Sequence, residues 1–80
     1  MSVTVLLFAA YADALGRPSV DVPLAPGATV TDVLAALKLM PGADRLPPSP
    51  LVAVNQRYAT LSDAVNAGDE VAVIPPVAGG

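Results

Sequence analysis

Residues able to do chemistry are few in this sequence. Its 80 residues include no His and no Cys, which removes the ordinary base near neutral pH and the strongest side-chain nucleophile. Hydroxyl groups remain, from Ser2 and Thr4 to Thr60 and Ser62, and each would need an activating neighbour that only Lys38 or a carboxylate can supply. This inventory argues against a stand-alone hydrolase. Asp69-Glu70 is the one adjacent acidic pair, and neighbours on a strand point to opposite faces, so it reads as a turn beside a solvated edge and no metal is expected. The last residues, Val73-Ile-Pro-Pro-Val-Ala-Gly-Gly80, end in a free carboxylate carried on two residues without side chains.

The elements that position this end follow from local pattern. Each proline ring fixes φ and removes an amide donor, so neither Pro75 nor Pro76 belongs inside a central strand, and the last strand should end near Ile74. Residues 75–80 then form a projecting tail with a full stretch of roughly 20 Å at about 3.3 Å per residue. Glu-Val-Ala-Val-Ile (70–74), launched by a bend at 67–69, is the strand that carries it. At the other end, residues 2–9 set Val3, Val5 and Leu7 on one face and Thr4, Leu6 and Phe8 on the other. Both faces are largely apolar, which predicts a central strand. A short helix over 10–16 closes at Gly16, and Val20, Val22 and Leu24 alternate in a second strand that Pro23 keeps at an edge.

The main helix places Val30, Val33, Leu34 and Leu37 at i, i+3, i+4 and i+7, hence on one face. Thr29 and Asp32 form a capping box at its start, and Pro41-Gly42 stop it. Four of the nine prolines fall between 41 and 50, predicting a stiff surface loop without ladder bonds. Residues 51–55 read as a strand that Asn55-Gln56 turns into a short Arg-Tyr-Ala strand. A turn of helix is expected over 61–66. The first and last strands are the most apolar on both sides and should be central, parallel neighbours, with the helix lying across a mixed sheet.

Composition agrees with a single domain spanning 1–80, at a length where roughly 60% of the unfolded surface is buried. Hydrophobic residues make up 54% and aromatics 4%, so the core must be built from Val, Leu, Ala and Ile. The net charge is −3 with four basic residues, a balance that argues against nucleic acid and anionic membranes. The longest apolar run, Val5 to Ala12, is far below the ~18 residues of a membrane span, and no basic residue precedes it as a signal peptide requires. A soluble, cytoplasmic protein is expected.

Val-Thr-Val-Leu-Leu-Phe-Ala at the start, Gly-Ala-Thr-Val-Thr-Asp-Val-Leu-Ala-Ala-Leu through the helix, Ala-Val-Asn-Gln in the middle and Leu61 to Gly80 at the end together resemble the ubiquitin-like β-grasp fold. More narrowly they resemble the MoaD/ThiS sulfur carriers, and most of all the small subunit of molybdopterin synthase. The terminal piece is the specific one: a chance Gly-Gly end has odds of roughly 1 in 200. Two positions depart from the family pattern. Ala-Tyr-Ala-Asp-Ala-Leu stands where many small subunits carry a charged pair after the first strand, and Ile74 stands where an aromatic often precedes the prolines.

The resemblance implies an α+β domain with a mixed sheet packed on one main helix. It also implies that an ATP-using, E1-like adenylyltransferase adenylates the Gly80 carboxylate, which sulfur transfer converts to a thiocarboxylate. On the same resemblance the carrier would not be a catalyst alone, would bind no cofactor itself and would donate sulfur to the pterin precursor in molybdenum cofactor biosynthesis. Pro75, Pro76, Val77, Ala78 and Gly79 would enter a pocket of the large synthase subunit, in a heterotetramer of two small and two large subunits. An exposed apolar sheet face would dock there, with Leu6, Phe8, Val73 and Val77 as candidates. A carrier for cysteine or thiamin synthesis, or a ubiquitin-like modifier joined through Gly80 to lysines, shares the same ending.

Overall fold

The computed structural model describes residues 1–76. Five strands form one mixed sheet: β1 (Ser2–Leu7), β2 (Ser19–Pro23), β3 (Leu51–Val54), β4 (Arg57–Ala59) and β5 (Glu70–Ile74), in the order β2-β1-β5-β3-β4. The two expected neighbours do lie side by side. β1 pairs with β5 in parallel, with Val5 level with Val71 and Leu7 level with Val73. β2 occupies one edge, paired only with β1, and its Pro23 sits opposite Ser2 at the strand end. There the missing amide disrupts no further ladder.

Among the described residues there are two α-helices, α1 (Ala10–Leu15) and α2 (Val30–Leu37). α1 ends where Gly16 takes a left-handed conformation. α2 starts with the expected capping box: the Thr29 amide donates to Asp32 Oδ2 at 2.8 Å, and the Thr29 hydroxyl oxygen accepts from the Asp32 amide. Val30, Val33 and Leu37 lose essentially all exposure against Val3, Val5, Leu7, Val22, Val71 and Val73. The alternation of β1 and β5 and the helical period of α2 therefore meet in one aliphatic core, joined by the single ring of Tyr11.

Two expectations differ from the structure. β1 ends at Leu7, because Ala9 turns the chain at φ 49° into α1. Residues 61–66 form no helix. Their carbonyls are used elsewhere: Leu61 O accepts the Thr31 amide at 3.0 Å and the Thr31 hydroxyl at 2.9 Å, while Asp63 O accepts the Val30 amide at 3.0 Å. The segment thus satisfies the unpaired first-turn donors of α2, which prevents it from pairing its own carbonyls helically.

Candidate functional site

The tail departs from the middle of the sheet. β5 is held by parallel bonding to β1 and antiparallel bonding to β3, and its last rung pairs Ile74 with Leu51. On the β1 side the Phe8 amide donates to Val73 O at 3.2 Å. Pro75 and Pro76 then offer no donor to either neighbour, so the ladder stops where the sequence predicts. Pro75 is half-buried and Pro76 exposed. Val77, Ala78, Gly79 and Gly80 lie outside the described residues.

Around this root the face of the sheet turned away from α2 is graded from polar to apolar. One row across it consists of Leu6, Ala72, Ala53 and Tyr58, consecutive partners on β1, β5, β3 and β4. Toward the tail follow Phe8, 45% exposed, and the Ile74–Leu51 pair. In the opposite direction the row of Asp21, Thr4 and Glu70 is polar, and the Thr4 hydroxyl donates to Asp21 at 3.1 Å. Alanines at the centre and larger side chains at the margins make a shallow concavity of about 320 Å³ beside the tail root. Such a surface can take an apolar partner.

Leu6 and Phe8 are therefore on the open face as expected. Val73 is not: it is wholly buried beneath that face, because strand alternation sends it inward with Val71 while Ala72 and Ile74 point out. Ala53, Tyr58, Ala72 and Ile74 are the members that sequence reasoning missed. The alternation of Glu70–Ile74 carried the signal for Ala72 and Ile74. Ala53 and Tyr58 join them only through the register of the β3–β4 hairpin, whose Asn55 and Gln56 both take positive φ, 50° and 71°. Its turn is tied to the start of β5: Asn55 Nδ2 donates to Asp69 Oδ1 and the Glu70 amide to Asn55 Oδ1, both at 3.0 Å. The bond from Asn55 Nδ2, with one from the Asn66 amide, holds the Asp69 carboxyl below its usual range. Asp69 is thus a structural turn residue.

The proline-rich segment packs beside the same end. It contains a 3-10 turn (Ala43–Arg45), and the buried Tyr11 hydroxyl donates to Pro47 O at 3.0 Å. Burial pushes this phenol above its ordinary pKa. Pro50 then leads directly into Leu51, the partner of Ile74. Between this segment, α2 and Val73 lies a cavity of about 360 Å³, with Lys38 on its wall.

Among the described residues, no helix is long and apolar enough to cross a membrane. Residues 5–80 match the model of the ThiS family. The chain is 36% identical over 83 residues to the molybdopterin synthase sulfur carrier subunit of Chlamydomonas reinhardtii, with both chains covered completely. It is 33% identical over 81 residues to the protein of the same name from Arabidopsis thaliana, all of this chain and 84% of that one being covered. Among solved structures it resembles SAMP1, small archaeal modifier protein 1, of Haloferax volcanii, with a TM-score of 0.81 at 36% identity over the full length of both chains. The ubiquitin-like β-grasp is the fold of this chain.

Proposed function

The chain belongs to the ThiS family, and from that premise we propose that it is the sulfur carrier subunit of molybdopterin synthase, with the terminal carboxylate of Gly80 as its working group. The observation that carries this reading is the exit of β5. A strand held on both sides releases the chain at two prolines, which open a six-residue segment, 75–80, ending in Gly-Gly. A rigid body then presents a carbonyl with no Cβ nearby to obstruct a narrow channel, and the prolines limit the freedom lost on insertion.

In this reading an E1-like adenylyltransferase joins the Gly80 carboxylate to the α-phosphate of ATP and releases pyrophosphate. A sulfur nucleophile next attacks the acyl carbon, AMP leaves, and a thiocarboxylate remains. The small protein supplies no acid or base, which agrees with its lack of His and Cys. The pterin precursor receives the sulfur within the large synthase subunit, in a cytoplasmic heterotetramer. Leu6, Phe8, Ala72 and Ile74 form the docking face, and residues 75–80 form the inserted segment.

A second reading, a modifier joined to lysines, is supported by the likeness to SAMP1. Intact mass after incubation with the adenylyltransferase, ATP and a sulfur donor separates the two. Replacement of one oxygen by sulfur supports the carrier. Lysine conjugates without that species support the modifier, and an unaltered mass refutes both.

A further inference from the structure

The cavity between the proline-rich segment and α2 lies on the helix side of the sheet, and it shares no lining residue with the depression at Ala72. Its volume is about 360 Å³, within the range of roughly 300–1,000 Å³ usual for small-molecule sites. Tyr11, Leu37 and Val73, all buried, form its inner wall, and the half-buried Leu46 lines it beside them. The one polar side-chain atom of that wall, the Tyr11 hydroxyl, is already spent on Pro47 O at 3.0 Å. The interior is therefore aliphatic and aromatic.

Its open side has the opposite character. Lys38 and Ser49, both exposed, line it, and both also line an adjoining groove over α2. The chain has seven acidic residues against four basic ones, yet among the described residues Lys38 is the only charged one lining either space. The depression on the other face of the sheet is the reverse, with Glu70 as its charged member. Unpaired carbonyls at the C-terminal end of α2 would repel an anion. Leu34 O, Ala36 O and Leu37 O, however, already accept the amides of Lys38, Leu39 and Met40 at 3.2, 3.2 and 3.1 Å. Ser49 stands between Pro48 and Pro50 at φ 55°, a conformation disfavoured before proline and of a kind that recurs at ligand clamps. Among the described residues, neither its hydroxyl nor the Lys38 ammonium is engaged in a hydrogen bond.

We propose that this cavity is a binding site for a small amphipathic carboxylate, its apolar body held against Tyr11, Leu37, Leu46 and Val73 and its carboxylate meeting the Lys38 ammonium and the Ser49 hydroxyl. At about 30 Å³ for each water-sized group in a liquid, the space takes roughly twelve such groups, enough for a chain of about eight carbons with its carboxylate. A neutral hydrocarbon would leave Lys38 unused. A cation would meet it as a like charge. Once bound, the ligand ties the proline-rich segment to α2 in addition to the bond from Tyr11 to Pro47. The site is built entirely between Tyr11 and Val73 in the sequence, so it does not depend on activation of the C-terminus.

The test titrates the full chain with octanoate at neutral pH and follows amide chemical shifts and the melting temperature. Saturable shifts are expected at Leu37, Lys38, Leu46 and Ser49, fitting one site, with a melting temperature that rises with ligand concentration. Neutral 1-octanol should bind about fivefold more weakly, and octylamine should leave these amides unmoved. Lys38→Gln, at an exposed position, should weaken octanoate by about fivefold and leave 1-octanol unchanged. Ser49→Gly keeps the positive φ available and should weaken octanoate by about twofold or more. Absence of shifts in the millimolar range, or shifts confined to Leu6, Tyr58 and Ala72, would overturn the proposal. Equal binding of octanoate and 1-octanol, or a Lys38→Gln variant that binds octanoate as the parent does, would overturn it as well.

Discussion

Ile74 pairs with Leu51 in the last rung of the central strand, one residue before Pro75 removes the next donor. Among the described residues the sheet bonding of β5 is complete at that rung, and Pro75 and Pro76 carry no amide donor to extend it. Deleting Gly80, or replacing Gly79→Val, should leave thermal unfolding within about 0.5 kcal/mol of the parent and abolish thiocarboxylate formation by mass. A large fall in melting temperature, or sulfur loading of the shortened chain, would contradict the placement of the working group.

Val73 and Phe8 lie within one rung of each other and should behave oppositely. Val73 has no exposed surface, whereas Phe8 keeps 45% of its own. Val73→Ala removes two methyl groups from a filled core and should cost about 2–3 kcal/mol in urea denaturation. Phe8→Ala should cost under about 1 kcal/mol and yet weaken association with the large synthase subunit by tenfold or more. Equal stability losses would show that the open face is core.

At Ala72 the sheet is hollow, because Ala53 beside it is equally small. Ala72→Arg fills that depression with a charge while leaving the buried side of β5 untouched. Partner binding by calorimetry should disappear with melting nearly unchanged. Retained affinity would place the docking surface elsewhere on the molecule.

How much of this was readable in the sequence depends on the range of the interaction involved. Period-2 and period-3.6 patterns, with Pro23, Pro41 and Pro75 as punctuation, locate the strands, α2 and the point where the tail departs, since each signal is local. Val73 differs from expectation because apolarity alone does not tell the two faces of β5 apart; Val71 and Val73 go inward as a pair only once the core side is known. Residues 61–66 have the composition of a helical turn, but their carbonyls cap α2 some 30 residues earlier in the chain. Ala53 and Tyr58 enter the open face through hairpin register, a relation between strands that no single stretch displays.

Asp69 gives the fold an acid-sensitive joint. Hydrogen bonds from Asn55 and Asn66 depress its carboxyl in the folded state, so it contributes stability that is fully present above the unfolded value of about 3.9. That contribution is lost as pH falls through the lower folded value. Asp69→Asn leaves one oxygen for two donors and should destabilise the protein at pH 7, with the gap to the parent closing as the pH falls below the ordinary carboxylate range and the Asp69 carboxyl takes up its proton. A gap constant across that range would mean the bonds act without linkage to ionisation.

Gly42 tests whether the proline-rich segment is fixed to the body. It sits at φ +93°, and a Cβ there would collide with the carbonyl oxygen of Ala14 on α1. Gly27 has a similar φ of +85° but open space around it. Gly42→Ala should therefore cost clearly more than Gly27→Ala, about 2–3 kcal/mol against roughly 1, since backbone strain is common to both and the collision belongs to one. Because Tyr11 anchors Pro47 further along the same segment, pushing Gly42 away from Ala14 should also loosen the turn that follows it, seen as faster exchange of the Arg45 and Leu46 amides, which donate to Gly42 O and Ala43 O. Equal costs for the two substitutions, with exchange unchanged, would show that the segment does not lean on α1.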